Sequence, residues 1–390
     1  MTASKHLSRF LIVGGIVIAV SAQTSFSGSR MEDLSRFSTG WEEAEYEAQD
    51  LLDWLDGRAL PTLTPTPPSP TSTSTPTESP TPTSSPTENS TSMPPMIDGC
   101  SVFPGDNIWN VRVDSLPVDG NSSDYIATIG PNEEVHADFG SGEWPPGSGS
   151  PIGIPFTTVT GAQPEVSVSF VWDDESDPGP YPIPTNAPIE GGPNSDGDRH
   201  VIVLDTSACI LFELFNAFPE PDGSWRAHSG AVFHLASNGL RPAGWTSGDA
   251  AGLPILPGLI RYDEAISGEI RHALRFTAPE TRDEYVWPAR HQASDLTDSM
   301  YPPMGQWFRL RSDFDTSAFS PVAKVIAVAL QRYGMILADN GSPWYLSGAP
   351  DERWDNDVLH ELDIIQGSDF EAVDVSSLEV DPNSGETHQP

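Results

Sequence analysis

The residues best placed to do chemistry lie in one stretch, Asp198-Arg-His200-Val-Ile-Val-Leu-Asp205-Thr-Ser-Ala-Cys209-Ile-Leu-Phe-Glu213-Leu. Two aliphatic and β-branched runs flank the polar break Asp205-Thr-Ser-Ala, which is the pattern of a β-hairpin. With a loop of two or four residues, pairing Leu204 with Cys209 sets Ile202 opposite Leu211 and His200 opposite Glu213, all six on one side. A loop of three residues breaks that register. Burying a carboxylate on an otherwise apolar sheet face costs free energy unless it has a partner. Glu213 therefore reads as a proton donor whose pKa is raised by apolar neighbours, with His200 tuning it. The competing reading is a buried structural ion pair. Glycoside hydrolysis needs a second carboxylate, and Asp198, Asp205, Asp249, Asp263 and Asp339 are all candidates.

Other side chains extend the list. Alternation over Glu269–Thr277 puts Ile270, His272, Leu274 and Phe276 together and Glu269, Arg271, Ala273, Arg275 and Thr277 opposite. His272 thus faces inward, as a satisfied core histidine or as a cleft residue. His291 ends the strand-like run Val286-Trp-Pro-Ala-Arg-His291 and is a candidate to converge with it on a substrate. Three histidines suit zinc or copper, but no His-x-His or His-Glu-x-x-His spacing is present. Asn194-Ser-Asp196-Gly-Asp198 alternates oxygen ligands at spacing two around a glycine, like the front half of a calcium loop, without the distal bidentate glutamate. It equally fits an Asx-rich turn. Calcium is therefore admitted as a cofactor, and none is required. Asp351, Asp355 and Asp357 form a second acidic cluster that also suits a helix cap. Several tryptophans, among them Trp144, Trp245, Trp287, Trp344 and Trp354, fall in loops, where a ring can stack on a sugar face or plug the end of a sheet.

The chain that positions these residues is uneven. Lys5, His6 and Arg9 precede the apolar run Phe10–Val20, with a small-residue cleavage candidate after Ala22, so residues 1–22 read as a signal peptide or an uncleaved signal anchor. Residues 23–60 are acidic and too short to fold alone, and read as poorly structured or as a short helix. Residues 61–95 are almost entirely Pro, Thr and Ser and read as a disordered, extended stalk. Residues 96–376 carry one β-rich domain, and 377–390 read as a disordered tail. Cys100 and Cys209 are the only cysteines, and in an exported protein they form one disulfide in preference to a thiol nucleophile.

The expected fold is all-β with minor α, a β-sandwich or jelly-roll-like domain with two or three short helices behind the stalk. Short strand signals recur at Pro155–Thr160, Glu165–Trp172, Ala231–Leu235, Glu269–Thr277 and Gln306–Arg311. Asn340-Gly341 predicts a type I′ turn joining Met335–Asp339 to the following strand as a hairpin. Helices are predicted from Ser320-Pro321 to Gly334 and from Asp355 to Gly367, with a helical turn at Thr246–Gly252.

A net charge of -37 leaves no basic footprint for nucleic acid. With lysine only at Lys5 and Lys324, a Walker A site is excluded and Schiff-base chemistry disfavoured. No Gly-x-Ser-x-Gly elbow or Gly-x-Gly-x-x-Gly fingerprint is present. The blocks Ser229-Gly-Ala-Val-Phe, Leu240-Arg-Pro-Ala-Gly-Trp-Thr-Ser, Gly252–Glu264, Gly268–Thr277 and Tyr333–Gly341 resemble a group of uncharacterised exported bacterial proteins with a single β-rich domain. That resemblance implies an exported domain and carries over no catalytic residue. The function expected is a secreted or surface-tethered hydrolase of an extracellular polysaccharide or envelope glycan. Glu213, His200, His272 and Asp198 would do the chemistry, and Trp245, Trp287, Trp344 and His291 would hold substrate. The alternatives are a carbohydrate- or envelope-binding module and a structural surface protein. Contact with a membrane is expected only through an uncleaved leader.

Overall fold

A computed structural model of the chain describes residues 8–13, 16–21 and 93–388. Ser8–Val13 and Ile16–Ser21 pair as antiparallel strands. No helix among the described residues is long and apolar enough to cross a membrane. The expected acidic segment 23–60 and the stalk up to residue 92 lie outside the described residues. Pro86–Pro390 form a compact unit by themselves, and everything below concerns it.

The strands of its two main sheets are β1 (His136–Asp138), β2 (Phe156–Val159), β3 (Val201–Asp205), β4 (Ile210–Phe215), β5 (Ser229–His234), β6 (Leu274–Ala278), β7 (Trp307–Leu310), β8 (Met335–Asn340), β9 (Tyr345–Ser347) and β10 (Phe370–Val373). One sheet has the order β5-β4-β3-β2 and the other β10-β7-β8-β6-β9-β1. The result is a β-rich domain with few short helices.

The hairpin forms, but its register is displaced by two residues from expectation. Its loop has four residues, Thr206 to Cys209, and Ile202 pairs with Glu213 while Leu204 pairs with Leu211. A slip of two preserves which residues share a face. It moves His200 away from Glu213 and leaves Cys209 in the loop with φ 53. The apolar run over Val201–Leu204 is continuous because this sheet is covered on both sides. Ile202, Leu204, Leu211 and Phe233 join the main core with Phe276, Trp307 and Phe308 of the other sheet. Val201, Val203 and Leu214 join a smaller core with Tyr181, Ile183 and Trp225. Each such side chain, fully buried, contributes about 1.5–3 kcal/mol.

The Asn340-Gly341 hairpin does not form. β8 and β9 are not neighbours, because β6 lies between them, parallel to β8 and antiparallel to β9. A local turn signal cannot register a strand inserted from sixty residues away in the chain.

Among the described residues, four α-helices accompany the sheets: α1 (Ser122–Ile129), α2 (Tyr262–Ser267), α3 (Pro321–Arg332) and α4 (Asn356–Leu359). α3 matches expectation, with Pro321 in its first turn and Gly334 just past its end at φ 68. The second expected helix breaks up. Asp355 caps α4 by accepting from Asp357 N at 3.1 Å, and the chain then tightens into a 3₁₀ turn over His360–Ile364. Thr246–Gly252 forms turns and no helix.

The expected disulfide joins Cys100 to Cys209, a sequence separation of 109. The C-terminal segment is ordered against the domain, contrary to expectation. Leu378 is buried, Ile108 N donates to Gly385 O at 2.8 Å, and the Arg290 guanidinium donates to Pro382 O at 2.6 Å and Asn383 Oδ1 at 2.9 Å. These partners take up backbone groups that the composition alone would leave to solvent.

Candidate functional site

Glu213 is 0% exposed. Its Oε1 accepts from Ile255 N at 3.0 Å and Leu256 N at 2.9 Å, and its Oε2 from Ile255 N at 2.9 Å. It closes the N-terminal side of the 3₁₀ turn Leu256–Gly258, whose amides would otherwise be orphaned in the core. Burial pushes its pKa up to about 7, against the opposing pull of those two amides. A sealed and satisfied carboxylate cannot reach a substrate, so the expected role as proton donor is overturned.

His200 does not partner Glu213 either. Its Nδ1 lies 2.5 Å from Glu190 Oε2 and its Nε2 lies 2.8 Å from Gly248 O. A carbonyl can only accept, so Nε2 donates, and Nδ1 donates to the carboxylate. Burial works to lower the pKa of His200, but the Glu190 charge and hydrogen bond outweigh it and hold the imidazolium up to about 9. The same ion pair holds Glu190 low despite its burial.

The chemistry lies just in front of this layer. Arg275, expected on an outward face, is buried and anchors a charge network. Its Nε and one amino group bind Asp249 at 2.7 and 2.8 Å, the other amino group binds Ser347 Oγ at 2.5 Å, and Asp339 Oδ2 stands 3.6 Å away. A β-bulge delivers Asp339 to this position. Phe276 pairs with Leu337, but Thr277 pairs with Asp339, so Ala338 is the extra residue. Without the bulge, alternation would put Asp339 on the face opposite Thr277 and Arg275; the inserted residue turns it to their side. Burial raises the Asp339 pKa to about 7, reinforced by the neighbouring Asp249 charge and only partly offset by Arg275. Its side chain keeps 23% exposure. The bidentate Arg275 in turn satisfies Asp249, which is 1% exposed.

Asp339 opens into a cleft of about 380 Å³, whose walls include Asp198, Asp249, Gly248, Glu175, His291 and the aromatic rings of Trp172 and Phe215. Trp172 and Phe215 stack with centroids 5.9 Å apart and planes at 16°. Trp172 stays 41% exposed and lines the cleft. Glu213 sits directly behind it, because a Cβ on the wall residue Gly248 would meet the Glu213 side chain at 3.2 Å. Of the expected site residues, the cleft brings together Asp198 and His291, whose Nδ1 lies 3.0 Å from Ala250 O. Asp339 and Asp249 join them from the wider set of carboxylates.

The remaining expectations fall elsewhere. His272 is fully buried, with Nδ1 2.8 Å from Ala273 O and Nε2 3.1 Å from Glu264 Oε2, a satisfied core histidine away from the cleft. Trp344 is also fully buried, stacked between Phe276 and Phe370, and donates to Gly130 O at 2.7 Å. It is a core plug and cannot bind substrate. Trp354 is likewise buried. Trp287 is half-buried and donates to Ser384 O at 2.8 Å, beneath the C-terminal segment. Trp245 is half-buried, with the Arg241 guanidinium 5.5 Å from its ring. Neither lines the cleft.

The expected calcium loop is organised around a different cation. The Arg199 guanidinium is buried and takes the carbonyls of Pro193 at 3.0 Å and Ser195 at 2.9 Å, leaving Asn194 and Asp196 as exposed side chains. Backbone carbonyls that a calcium loop would supply are thus already bound to a guanidinium. Asp198 does approach Glu190 and His200, with one ligand atom from each within 4.8 Å of the others. Both nitrogens of His200 are donors there, so the imidazole has no lone pair for a metal.

The sequence carried signals for some missed residues and none for others. Trp172 ends a recognisable strand run, and its exposure follows from where the strand stops. Glu190, in an Ile-Glu-Gly-Gly loop, has no pattern that would single it out.

Fold and site together define a disulfide-stapled, β-rich domain with an acidic cleft, one protonatable carboxyl and an aromatic wall. No family model matches the chain, and no curated protein or solved structure matches it.

Proposed function

We propose that the protein is an extracytoplasmic carbohydrate-active hydrolase, built as a two-sheet sandwich, with Asp339 as its proton donor and Asp198 as the second carboxylate. The single observation that carries this reading is Asp339 itself, a partly exposed carboxyl with a pKa of about 7 on the wall of an acidic cleft. A general acid needs that combination of reach and a pKa near the working pH. Two carboxyl groups in differing environments are the working parts of glycosidic cleavage, and Asp198 is exposed where Asp339 is only partly so. Trp172 would stack on a sugar ring. The signal-like leader and the disulfide favour a secreted or surface-tethered location, where such substrates are found. A second reading, a glycan-binding module without catalysis, draws on Trp144, which is 70% exposed on the rim of a neighbouring cleft.

The test incubates the full chain with a panel of polysaccharides and counts reducing ends. D339N is expected to lower the rate by about 10²–10⁴-fold, the usual contribution of general acid catalysis. Activity should be present at low pH and fall as the pH rises through about 7, because the acid must carry its proton. Binding without cleavage, unchanged by D339N, would establish the binding module instead.

A further inference from the structure

A second and larger cleft, of about 710 Å³, has walls that include His136, Asp138, Trp144, Glu190, Tyr345 and His360. The His136 and Tyr345 rings pack with centroids 4.4 Å apart, and Trp144 projects from the rim. The two clefts approach each other at one point. Asp198 lines the first and Glu190 the second, and their carboxylate oxygens lie within 4.8 Å of each other beside His200. Each cleft alone has the size of a small-molecule site, about 300–1,000 Å³. Side by side, each with an exposed tryptophan, they fit a longer ligand. Their walls share one sign of charge. The charge left uncompensated is that of Glu175 and Asp198 in the first and Asp138 in the second, because Asp249 is paired with Arg275, Glu190 with His200, and Asp339 carries the proton, while neither cleft is lined by a lysine or an arginine. A groove of one sign concentrates ligands of the other and repels its own.

We propose that the two clefts form one continuous groove, which holds a linear glycan carrying free amines, a glucosamine-type polymer, with separate sugar units on Trp172 and Trp144. This rests on the hydrolase reading above and names its substrate class. Uronic-acid and sulfated chains are excluded by the same carboxylates that attract an ammonium. Binding to two linked subsites makes affinity depend on length, since the second contact forms at high effective concentration. The attraction is screened by salt, over about 10 Å at 0.1 M.

Calorimetric titration of the full chain tests this with a glucosamine disaccharide, a glucosamine hexasaccharide, the N-acetylated hexasaccharide and a hexagalacturonate. The glucosamine hexasaccharide should bind at least about tenfold more tightly than the disaccharide, as expected for two linked sites. W144A should remove most of that advantage, and added salt should weaken the amine-bearing ligands most. Trp144 is exposed, so the variant will fold, and matching circular dichroism spectra will verify it. Equal affinity for both lengths, or no effect of W144A, overturns the continuous groove. Preference for the galacturonate or the N-acetylated chain overturns the amine specificity. Either result can stand beside intact, Asp339-dependent cleavage of some other glycan, in which case the hydrolase reading survives. Failure of every glycan to bind or be cleaved overturns both.

Discussion

Glu213 and Asp339 are both carboxyl groups pushed up to about 7, and burial is the first cause in each. They have opposite meanings. Glu213 is sealed, its oxygens bound to two backbone amides, and it closes a turn. Asp339 stands at the cleft wall between a like charge and a guanidinium, with part of its surface open. A raised pKa therefore marks a functional group only when reach accompanies it. Layering produces the difference: Glu213 is separated from the cleft by little more than the backbone of the wall residue Gly248, while Asp339 lines the cleft itself.

The largest test of this layering is the group that holds the cleft carboxylates in place. Replacing Arg275 with Met leaves Asp249, at 0% side-chain exposure, as a buried charge without its bidentate partner. Breaking such a pair costs about 3–5 kcal/mol, and urea unfolding should show it. A loss below about 1 kcal/mol, the level of an exposed pair, would mean that solvent reaches Asp249 and that the two layers are not distinct.

What the sequence revealed of this arrangement follows its periodicities. The shared face of Ile202, Leu204, Leu211 and Glu213 was legible because a two-residue slip leaves parity intact. The partner of His200 was not, because it depends on register and on a Glu190 from another loop. Alternation misplaced Arg275, since both faces of its strand are covered and the contrast between inside and outside is lost. Asp339 owes its direction to the bulge at Ala338, which the alternation does not show. Trp344 does lie in a turn, but its ring is buried against Phe276 of β6 and Phe370 of β10, strands that come from far away in the chain. α3 and most of the strand positions are legible because their signals are local, and the disulfide is legible because the chain has two cysteines.

Glu213 gives the next effect. E213A removes the acceptor of two buried amides, and each orphaned donor costs about 1–3 kcal/mol. The pH dependence carries a sign. A folded pKa raised from 4.5 to about 7 means that the fold prefers the protonated form, so its stabilising contribution is full below pH 4.5 and is lost as the pH rises to about 7. E213Q keeps one acceptor oxygen without a charge. It should unfold with a shallower stability slope between pH 4.5 and 7 while leaving the cleft and its ligand affinity unchanged. A loss of glycan affinity in E213Q with an intact fold would return Glu213 to the site.

Asp339 should show the smallest effect on stability and so sharpens the contrast most. Its Oδ1 accepts from the adjacent Asn340 N at 2.7 Å, and its contact with Arg275, at 3.6 Å, is longer than either Asp249 bond. Its folded pKa is also raised, from 3.8 to about 7, so its contribution too is present below pH 3.8 and lost as the pH rises to about 7. D339N removes the like charge beside Asp249 and with it this share of the slope. Near pH 5 the variant should differ from the parent by less than about 1 kcal/mol, within the usual range for substitutions outside the core. At pH 8 it should be the more stable of the two. Thermal unfolding of the parent, E213Q and D339N across pH 4 to 8 separates the shares. If D339N were as destabilising as E213A, the cleft carboxyl would be as structural as the sealed one, and its raised pKa would no longer point to catalysis.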